Sequence, residues 1–390
     1  MNQRIVNVGT PDGDYRVVVG AGVLSSIATA TADALGHEPA HVFIVADAGV
    51  PESARAAVID SFAALGASVH VHVVRPSERD KSIETLEAIL AAMARTRHER
   101  SDPVVALGGG IVGDTAGFAA ACYRRGVPIV QCPTTLLAMV DASVGGKTAV
   151  NLAVPGADGA PELRKNFVGA FHQPILVVAD IAMLSTLSDR HFRCGLAECI
   201  KHGMIASEAG DDQLGPWTAS ALDAAIARDA ATLIELIARN IALKATIVGR
   251  DTRETDPAGG RMLLNLGHTF AHAIEPIHHL TPDGDAAHAP LHHGEAVSLG
   301  LAAAAHCATA LGHCDSSVES QALETLASVG LPTRIRNLSE TGRIVDAMLH
   351  DKKVSGNTLR LVLPIGPGRA RVFSDPPIEA VRHAIDSIRA

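Results

Sequence analysis

Aromatic residues are scarce: they make up 3% of the 390 residues, with a single Trp and two Tyr. The core must therefore be filled by Ala, Val, Leu and Ile. Positive charge is not in excess either. The formal net charge is −9, which argues against a general electrostatic attraction to nucleic acid or an acidic membrane; any anionic ligand must be held by local cations. The six cysteines (Cys122, Cys132, Cys194, Cys199, Cys307 and Cys314) include no CxxC pair. A chain of this size needs no disulfide staples, so free thiols in a reducing compartment are expected. The opening MNQRIVNVGTPDGDYRVVV has no apolar signal region, and no stretch approaches eighteen uninterrupted apolar residues; the expectation is a soluble, cytoplasmic protein. No internal repeat is present. What the chain does have is length enough for two domains and a 47% apolar content that excludes a disordered chain.

The first half alternates. YRVVVG and HVFIVAD read as strands, and PESARAAVIDSFAALG as the helix after the second. SVHVHVV is another β-branched run, followed by the helical KSIETLEAILAAMARTR. PVVALGGG, PIVQCP and PILVVAD are short apolar runs bounded by Gly, Pro or Asp. The pattern predicts a mainly parallel sheet with helices on both faces. After LSTLSDR, near Leu187, the spacing becomes helical in HFRCGLAECIKHGMIA, ALDAAIARDAATLIELIARNIALKATIVG and HGEAVSLGLAAAAHCATALG. In the second of these, Leu222, Ile226, Leu233, Ile237, Ile241 and Val248 fall on one stripe. TLRLVLPIG and RARVF predict a late hairpin. The expected architecture is an α/β nucleotide-binding domain over residues 1–187 and a mainly α-helical domain over 188–390, with a small-molecule site in a cleft at their boundary.

ALGGGIVGDTAGF follows an expected strand and opens an expected helix. Gly108, Gly109 and Gly110 would let backbone approach a pyrophosphate at the helix N-terminus. The spacing is not GxGxxG, and a tight turn in any α/β protein would read the same way. Asp47, ending FIVAD, is placed to accept from a ribose hydroxyl, or is a strand-end turn residue. PTTLLAMVDASVGGKTAVN puts Asp141 and Lys147 in a Gly-rich loop, and RKNFVGAFHQP adds Lys165 and Asn166. One loop Lys is usually just solvated; repeated Lys/Asn pairs in an acidic chain suggest anion recognition. GLAECIKHG sets Glu198, Lys201 and His202 on one helix face, a pattern that an exposed ion pair also produces. Seven of the nineteen histidines crowd between Leu263 and Val297. His268 and His272 stand at i, i+4, a spacing that can bind zinc from one helix and that core or surface histidines also show. HExxH is absent, which excludes a zincin.

Taken together and in order, GGGIVGDTAGFAAACYRRG, VPIVQCPTTLLAMVDASVGGKTAVN, KNFVGAFHQP, FRCGLAECIKHG, LLNLGHTFAHAIE, LHHGEAV and DKK followed by LRLVLPIG resemble the 3-dehydroquinate synthase family of sugar-phosphate cyclases along almost the whole chain. The opening DYRVVVGAGVLSSI is similar to that family's first strand and turn. The resemblance implies a dehydroquinate synthase-like fold, a catalytic zinc or cobalt held by Glu198, His268 and His293 with one position open for substrate, and NAD. His272 is then no ligand and serves the substrate's phosphate side, while His278, His279, His288 and His292 are read as solvated loop residues. The implied NAD contacts are Asp47, Glu78, Lys81, Gly109, Gly110, Ile111, Asp114, Thr134, Thr135, Lys165 and the turn Met183, Leu184, Ser185 and Thr186. The implied substrate contacts are Arg125, Asp141, Lys147, Asn166, Lys201, Lys244, Arg261, Asn265, His272 and Lys353. Arg125 would reach the neighbouring subunit's site, which implies a homodimer.

The reaction implied is conversion of 3-deoxy-arabino-heptulosonate 7-phosphate to 3-dehydroquinate and phosphate, on the route to chorismate and the aromatic amino acids. A hydride passes from the C5 alcohol to NAD⁺, phosphate is eliminated, the hydride returns, and an intramolecular aldol step closes the ring. NAD is not consumed, and the protein supplies orientation and charge stabilisation. Two stretches depart from the family pattern. LAVPGADGAPELR, between Asn151 and Lys165, is longer than usual and reads as a surface loop; Cys194 stands where Ser or Asn is commoner and is left out of the site. Three other functions compete. A sister cyclase acting on sedoheptulose 7-phosphate or glucose 6-phosphate would not need the paired Lys244 and Arg261, since those sugars lack a carboxylate. A metal- and NAD-dependent polyol dehydrogenase would have no use for so many phosphate-binding cations. A non-catalytic binding regulator would be expected to lack a zinc ligand or Lys201.

Overall fold

The computed structural model describes residues 3–155, 161–256, 259–354 and 358–390. The chain divides into two compact units: Met1–Leu187 with Ala230–Ala245, and Ser188–Asp229 with Thr246–Ala390.

In the first unit the β-branched runs form a seven-stranded sheet. Its strands are β1 (Gln3–Val8), β2 (Tyr15–Gly20), β3 (His41–Asp47), β4 (Ser68–Val74), β5 (Val104–Gly108), β6 (Ile129–Pro133) and β9 (Leu176–Asp180), in the order β1-β2-β9-β6-β5-β3-β4. Only the β1–β2 pair is antiparallel. The sheet is covered on both faces by α1 (Ile27–Leu35), α2 (Glu52–Ala64), α3 (Ile83–Arg95) and α4 (Gly110–Cys122). Successive side chains of a strand alternate between faces, and β3 shows the consequence. Val42, Ile44 and Ala46 pack with Ile27, Val58 and Phe62, whereas Phe43 and Val45 pack with Ile89, Met93 and Ala116. A strand buried on both sides reads as a continuous apolar run, as HVFIVAD does. The chain runs outward from β3 to β4 and then returns to the other side of β3 as β5. The carboxyl ends of β3 and β5 therefore flank the switch point where open α/β sheets bind ligands.

The second unit is mainly helical: α5 (Asp189–Met204), α6 (Leu214–Ile226), α8 (His268–Ile274), α9 (His293–Ala310), α10 (Ser316–Ser328), α11 (Thr341–Val354) and α12 (Ile378–Ser387), with a hairpin of β10 (Arg360–Gly366) and β11 (Arg369–Ser374). α9 is the central element. It packs against α5, α8, α10 and α12, and its run from Gly294 to Ala305 is buried on every side. A helix apolar all round is a core helix, and its Ala and Gly let neighbours approach without bulky rings. Among the described residues no helix is long and apolar enough to cross a membrane.

The parallel α/β sheet and the helical second part follow the sequence expectation; three local features do not. The six-residue apolar stripe belongs to two helices, because α6 ends at Ile226 and α7 (Ala230–Arg250) begins after Arg228, whose φ is +60°. Leu222, Leu233, Ile237, Ile241 and Val248 are buried, but Ile226, at the break, is 37% exposed. Of the stretch expected as a surface loop, residues 152–155 and 161–164 belong to the arms of an antiparallel hairpin, β7 (Lys147–Pro155) with β8 (Pro161–Phe171), paired from Lys147 and Phe171 to Pro155 and Pro161, while 156–160 lie outside the described residues. Its Leu, Ala and Val at 152–154 extend the strand before the Pro/Gly segment. β1 carried no strand signal, since it is an edge strand with little to bury.

Close backbone packing makes Gly300 on α9 irreplaceable. A Cβ there would lie 2.1 Å from the carbonyl oxygen of Gly267, backbone that cannot swing aside. Gly300→Ala is expected to destabilise by about 2–3 kcal/mol, lowering the midpoint of thermal unfolding by several degrees. Gly342→Ala, where nothing lies within 4 Å of the added Cβ, is the control and should leave it nearly unchanged. Equal midpoints for both variants would refute the packing argument.

Candidate active site

In the second unit, three side chains from three helices converge. Glu198 lies in the middle of α5, a helix capped by Ser188 and buried along Leu196, Ala197, Cys199 and Ile200. Its side chain is 0% exposed and that of Lys201, one turn on and paired with it, is 1% exposed. His268 is the first residue of α8 and His293 the first of α9. The Nε2 atoms of both stand 3.7 Å from Glu198 Oε1. One ligand atom from each of the three lies within 4.8 Å of the others.

The far nitrogens explain the orientation. His268 Nδ1 lies 3.2 Å from the Leu266 carbonyl oxygen, an acceptor only, so Nδ1 carries the proton and Nε2 presents its lone pair. His293 Nδ1 is 3.3 Å from Glu275 Oε2, the same arrangement with a carboxylate. Burial holds the His268 pKa well below the ordinary histidine range, and the neighbouring charges of Lys201, His293 and His272 push it the same way; the imidazole is neutral at physiological pH. Glu198 Oε1 meets no hydrogen-bond donor, and 3.7 Å is too long for one. Tetrahedral bonds of about 2.0–2.1 Å would set such ligand atoms roughly 3.3 Å apart. A neutral imidazole, a second imidazole and a buried carboxylate at this separation fit a divalent cation.

Around the cluster, the His272 ring stands 5.5 Å from that of His268 and 6.4 Å from that of His293, outside the converging triple. Arg261 is buried; its Nη1 donates to the Thr252 carbonyl at 2.7 Å and its backbone N–H to Asp251 Oδ2 at 3.1 Å. Burial acts to raise the Asp251 pKa, but N–H donors from Thr255, Arg261 and Asp256 outweigh it and hold the carboxyl below its usual range. Asn265 Nδ2 donates to Glu254 Oε1 at 2.8 Å. The Lys353 side chain lies outside the described residues. His279 and His288 are exposed and bonded to the Asn337 carbonyl and Asp283. His292, read as solvated, is instead half-buried, its ring 4.5 Å from that of His191.

The first unit gathers a second set. Asp47 ends β3 and accepts the Gly49 N–H at 2.7 Å. Gly109, Gly110 and Ile111 form the N-terminus of α4, where a Cβ on Gly109 would lie 3.3 Å from Thr135 and one on Gly110 3.3 Å from Ala142. Glycine here keeps the helix start close against Thr135 and Ala142, and a helix N-terminus is the kind of place that favours a phosphate. Lys81, 4% exposed, pairs with Asp114 at 2.5 Å and donates to Asn166 Oδ1. Lys165 is 3.9 Å from Glu78. Lys244 binds Asp141 Oδ1 at 2.7 Å. Thr134 and Thr135 follow β6, the Thr134 N–H donating to the Gly108 carbonyl. In the turn Ile181–Thr186, Leu184 is fully buried, whereas Ser185 and Thr186 are exposed. Lys147 opens β7 and is exposed, and Arg125 is exposed in a short turn at φ +68°.

Three contributors were not foreseen. Glu275 orients His293; its place about one turn after His272 and two after His268 in HTFAHAIE was the available signal. Buried Asn151 ties Glu78 to Asn166: Nδ2 donates to Glu78 O at 2.7 Å and Oδ1 accepts from the Asn166 N–H at 2.8 Å. Asp251 fixes the turn bearing Arg261. The last two act through distant backbone, which no local pattern marks.

Known proteins place this geometry. Residues 71–194 match the 3-dehydroquinate synthase N-terminal family and residues 195–354 the corresponding C-terminal family. A 3-dehydroquinate synthase of Caulobacter vibrioides is 40% identical over 95% of each chain. One of Nitrobacter hamburgensis is 42% identical over 97% of this chain and 94% of its own. Among solved structures, a 2-deoxy-scyllo-inosose synthase complexed with carbaglucose-6-phosphate, NAD⁺ and Co²⁺ has the same fold, with a TM-score of 0.82 at 24% identity over 98% of this chain and 100% of that one. A 2-epi-5-epi-valiolone synthase of Streptomyces hygroscopicus with NAD⁺ and Zn²⁺ bound gives 0.79 at 26% identity over 96% of each. Near-complete coverage at this identity, through both halves, makes the chain a member of the 3-dehydroquinate synthase family.

Proposed function

We propose that this protein is a 3-dehydroquinate synthase, converting 3-deoxy-arabino-heptulosonate 7-phosphate to 3-dehydroquinate and phosphate with NAD and a divalent metal, zinc or cobalt. The observation that carries the reading is the buried Glu198, His268 and His293 cluster with Lys201 on the same helix. Identity separates it from the sister cyclases: about 40% to dehydroquinate synthases against 24–26% to the inosose and valiolone enzymes. Glycerol dehydrogenases share the fold at lower identity still.

In this reading the first domain holds the dinucleotide at the carboxyl edge of its sheet, through Asp47, Glu78, Lys81, Gly109 to Ile111, Asp114, Thr134, Thr135, Lys165 and the turn Met183–Thr186. The second domain holds the metal and much of the substrate. When bound, the metal supplies Lewis acidity toward a substrate hydroxyl and the nicotinamide a reversible hydride acceptor. Lys201, buried against Glu198, keeps a positive charge beside the reacting oxygens. Lys147, Asn166, His272 and Lys353 serve the substrate's phosphate, Lys244 and Arg261 its carboxylate, and Asp141 and Asn265 orient the ring. A homodimer, with exposed Arg125 completing the neighbouring site, and a cytoplasmic location belong to the same reading; six free cysteines agree with the latter.

Removing the metal should abolish turnover, measured as phosphate release from the heptulosonate phosphate, and zinc or cobalt should restore it. Activity that survives complete stripping would overturn the assignment of Glu198, His268 and His293. Glu198→Gln should lose bound zinc while its circular dichroism stays unchanged.

NAD⁺ should be required yet not consumed. Absorbance at the NADH band should stay level through many turnovers, whereas a rise in step with product would mark a polyol dehydrogenase.

Arg261→Ala removes a planar cation suited to a carboxylate. Breaking one buried charge pair costs about 3–5 kcal/mol, or roughly two to four orders of magnitude in kcat/KM. Zinc and NAD binding should be nearly retained, and wild type should use sedoheptulose 7-phosphate poorly. A preference for that sugar would place the protein with the sister cyclases.

A further inference from the structure

His293 is delivered to its site by a long connection. α8 ends at Ile274 and α9 begins at His293, with only the short 3-10 turn Ala286–His288 between them. Such a connection cannot by itself hold an imidazole in place, because connecting segments are the most mobile parts of a fold. One side chain holds its end. Arg190, in the first turn of α5, donates from Nη2 to the His288 carbonyl at 2.7 Å and the Pro290 carbonyl at 3.0 Å. The same guanidinium forks onto Glu295, with Nε to Oε1 at 2.7 Å and Nη2 to Oε2 at 2.8 Å. Glu295, 4% exposed, accepts the His292 N–H at 2.7 Å through Oε2. The residues on either side of His293 are thus tied to one guanidinium. Hydrogen bonds to Glu295 raise the Arg190 pKa. Below the clamp, α9 seats on α5 by backbone: a Cβ on Gly294 would fall 2.3 Å from the Cys194 Cα.

Arg190 and Glu198 lie two turns apart on the same helix. We infer that Arg190 and Glu295 form a positioning clamp that sets His293 against Glu198, so that one helix fixes both ends of the metal-binding set. The inference rests on the proposed metal site and names no contact of Arg190 with substrate, NAD or metal. It predicts that the clamp governs metal affinity and the order of the 286–292 segment. Substrate KM at saturating zinc should be little changed.

The test uses Arg190→Lys, which keeps the charge and loses the fork, and Glu295→Gln, which keeps the shape and loses the charge. Arg228→Lys is the control: it alters an arginine that stacks on Phe192 and pairs with Asp189 of α5. Zinc affinity is read by competition with a chromophoric chelator. Hydrogen exchange of peptides spanning residues 286–293 is read on metal-free protein. Both clamp variants should bind zinc about 10- to 100-fold more weakly, the range for residues that orient metal ligands. Exchange in that segment should be faster, circular dichroism unchanged, and excess zinc should restore most of kcat. The control should match wild type in both readouts. Wild-type zinc affinity and exchange in Arg190→Lys and Glu295→Gln would overturn the clamp alone, as would an equal loss in the control. A wild-type protein that takes up no zinc would overturn the metal reading and the clamp with it; unchanged 286–293 exchange in the variants would count against the clamp in either case.

Discussion

A carboxylate with no exposure to water is the constraint around which the second unit is built. Removing an ion such as Glu198 from solvent carries a penalty of several kcal/mol unless positive charge answers it. Lys201 supplies one cation from the next turn. His268 supplies none, because its surroundings keep it neutral and its ring turns a lone pair toward Glu198. A buried anion facing that lone pair is repulsive unless a cation lies between them. The cluster is therefore intelligible as a metal site and hard to understand as a self-sufficient hydrogen-bond network.

Holding three such groups in place demands rigid helix packing, and the scarcity of aromatics shows how this is done. α9 contacts its neighbours through Gly294 and Gly300, where backbone meets backbone at Cys194 and Gly267. On α4, glycines make room for side chains of neighbouring strands instead. Gly109, Gly113 and Gly117 recur every fourth residue and so share one side of α4; a Cβ on Gly113 would lie 2.8 Å from Gln131 and one on Gly117 2.5 Å from Thr148. The glycine run that lacks the GxGxxG spacing thus has two functions. Its first members open the helix N-terminus, and its later ones let the helix lie close to β6 and β7.

Much of this was legible before any coordinates. Parallel strands such as HVFIVAD are buried on both faces and betray themselves as unbroken apolar runs, and the mainly helical second part follows from its spacing. Local conformational breaks were not legible. Nothing in ALDAAIARDAATL marks Arg228 as the left-handed residue that splits the stripe, since arginine is an ordinary helix former. The β7–β8 pairing was hidden because the Pro and Gly of LAVPGADGAPELR dominate the reading of the whole segment. Orienting residues such as Asn151 and Asp251 were hidden for another reason: most of their partners are backbone groups, and a backbone group has no sequence signature.

The histidines show where spacing stops being a guide. His268 and His272 satisfy the familiar one-turn pattern, yet their rings meet edge-on at 5.5 Å, and the converging atoms belong to His268, His293 and Glu198. One helical turn guarantees only that two side chains share a face. Convergence on a single point also requires that each ring be rotated by a bond to its other nitrogen, and those bonds come from Leu266 and Glu275. The discriminating information thus lies in the acceptors behind the rings. For a site assembled from three separate helices, the residues that aim the ligands are as much a part of its specification as the ligands are.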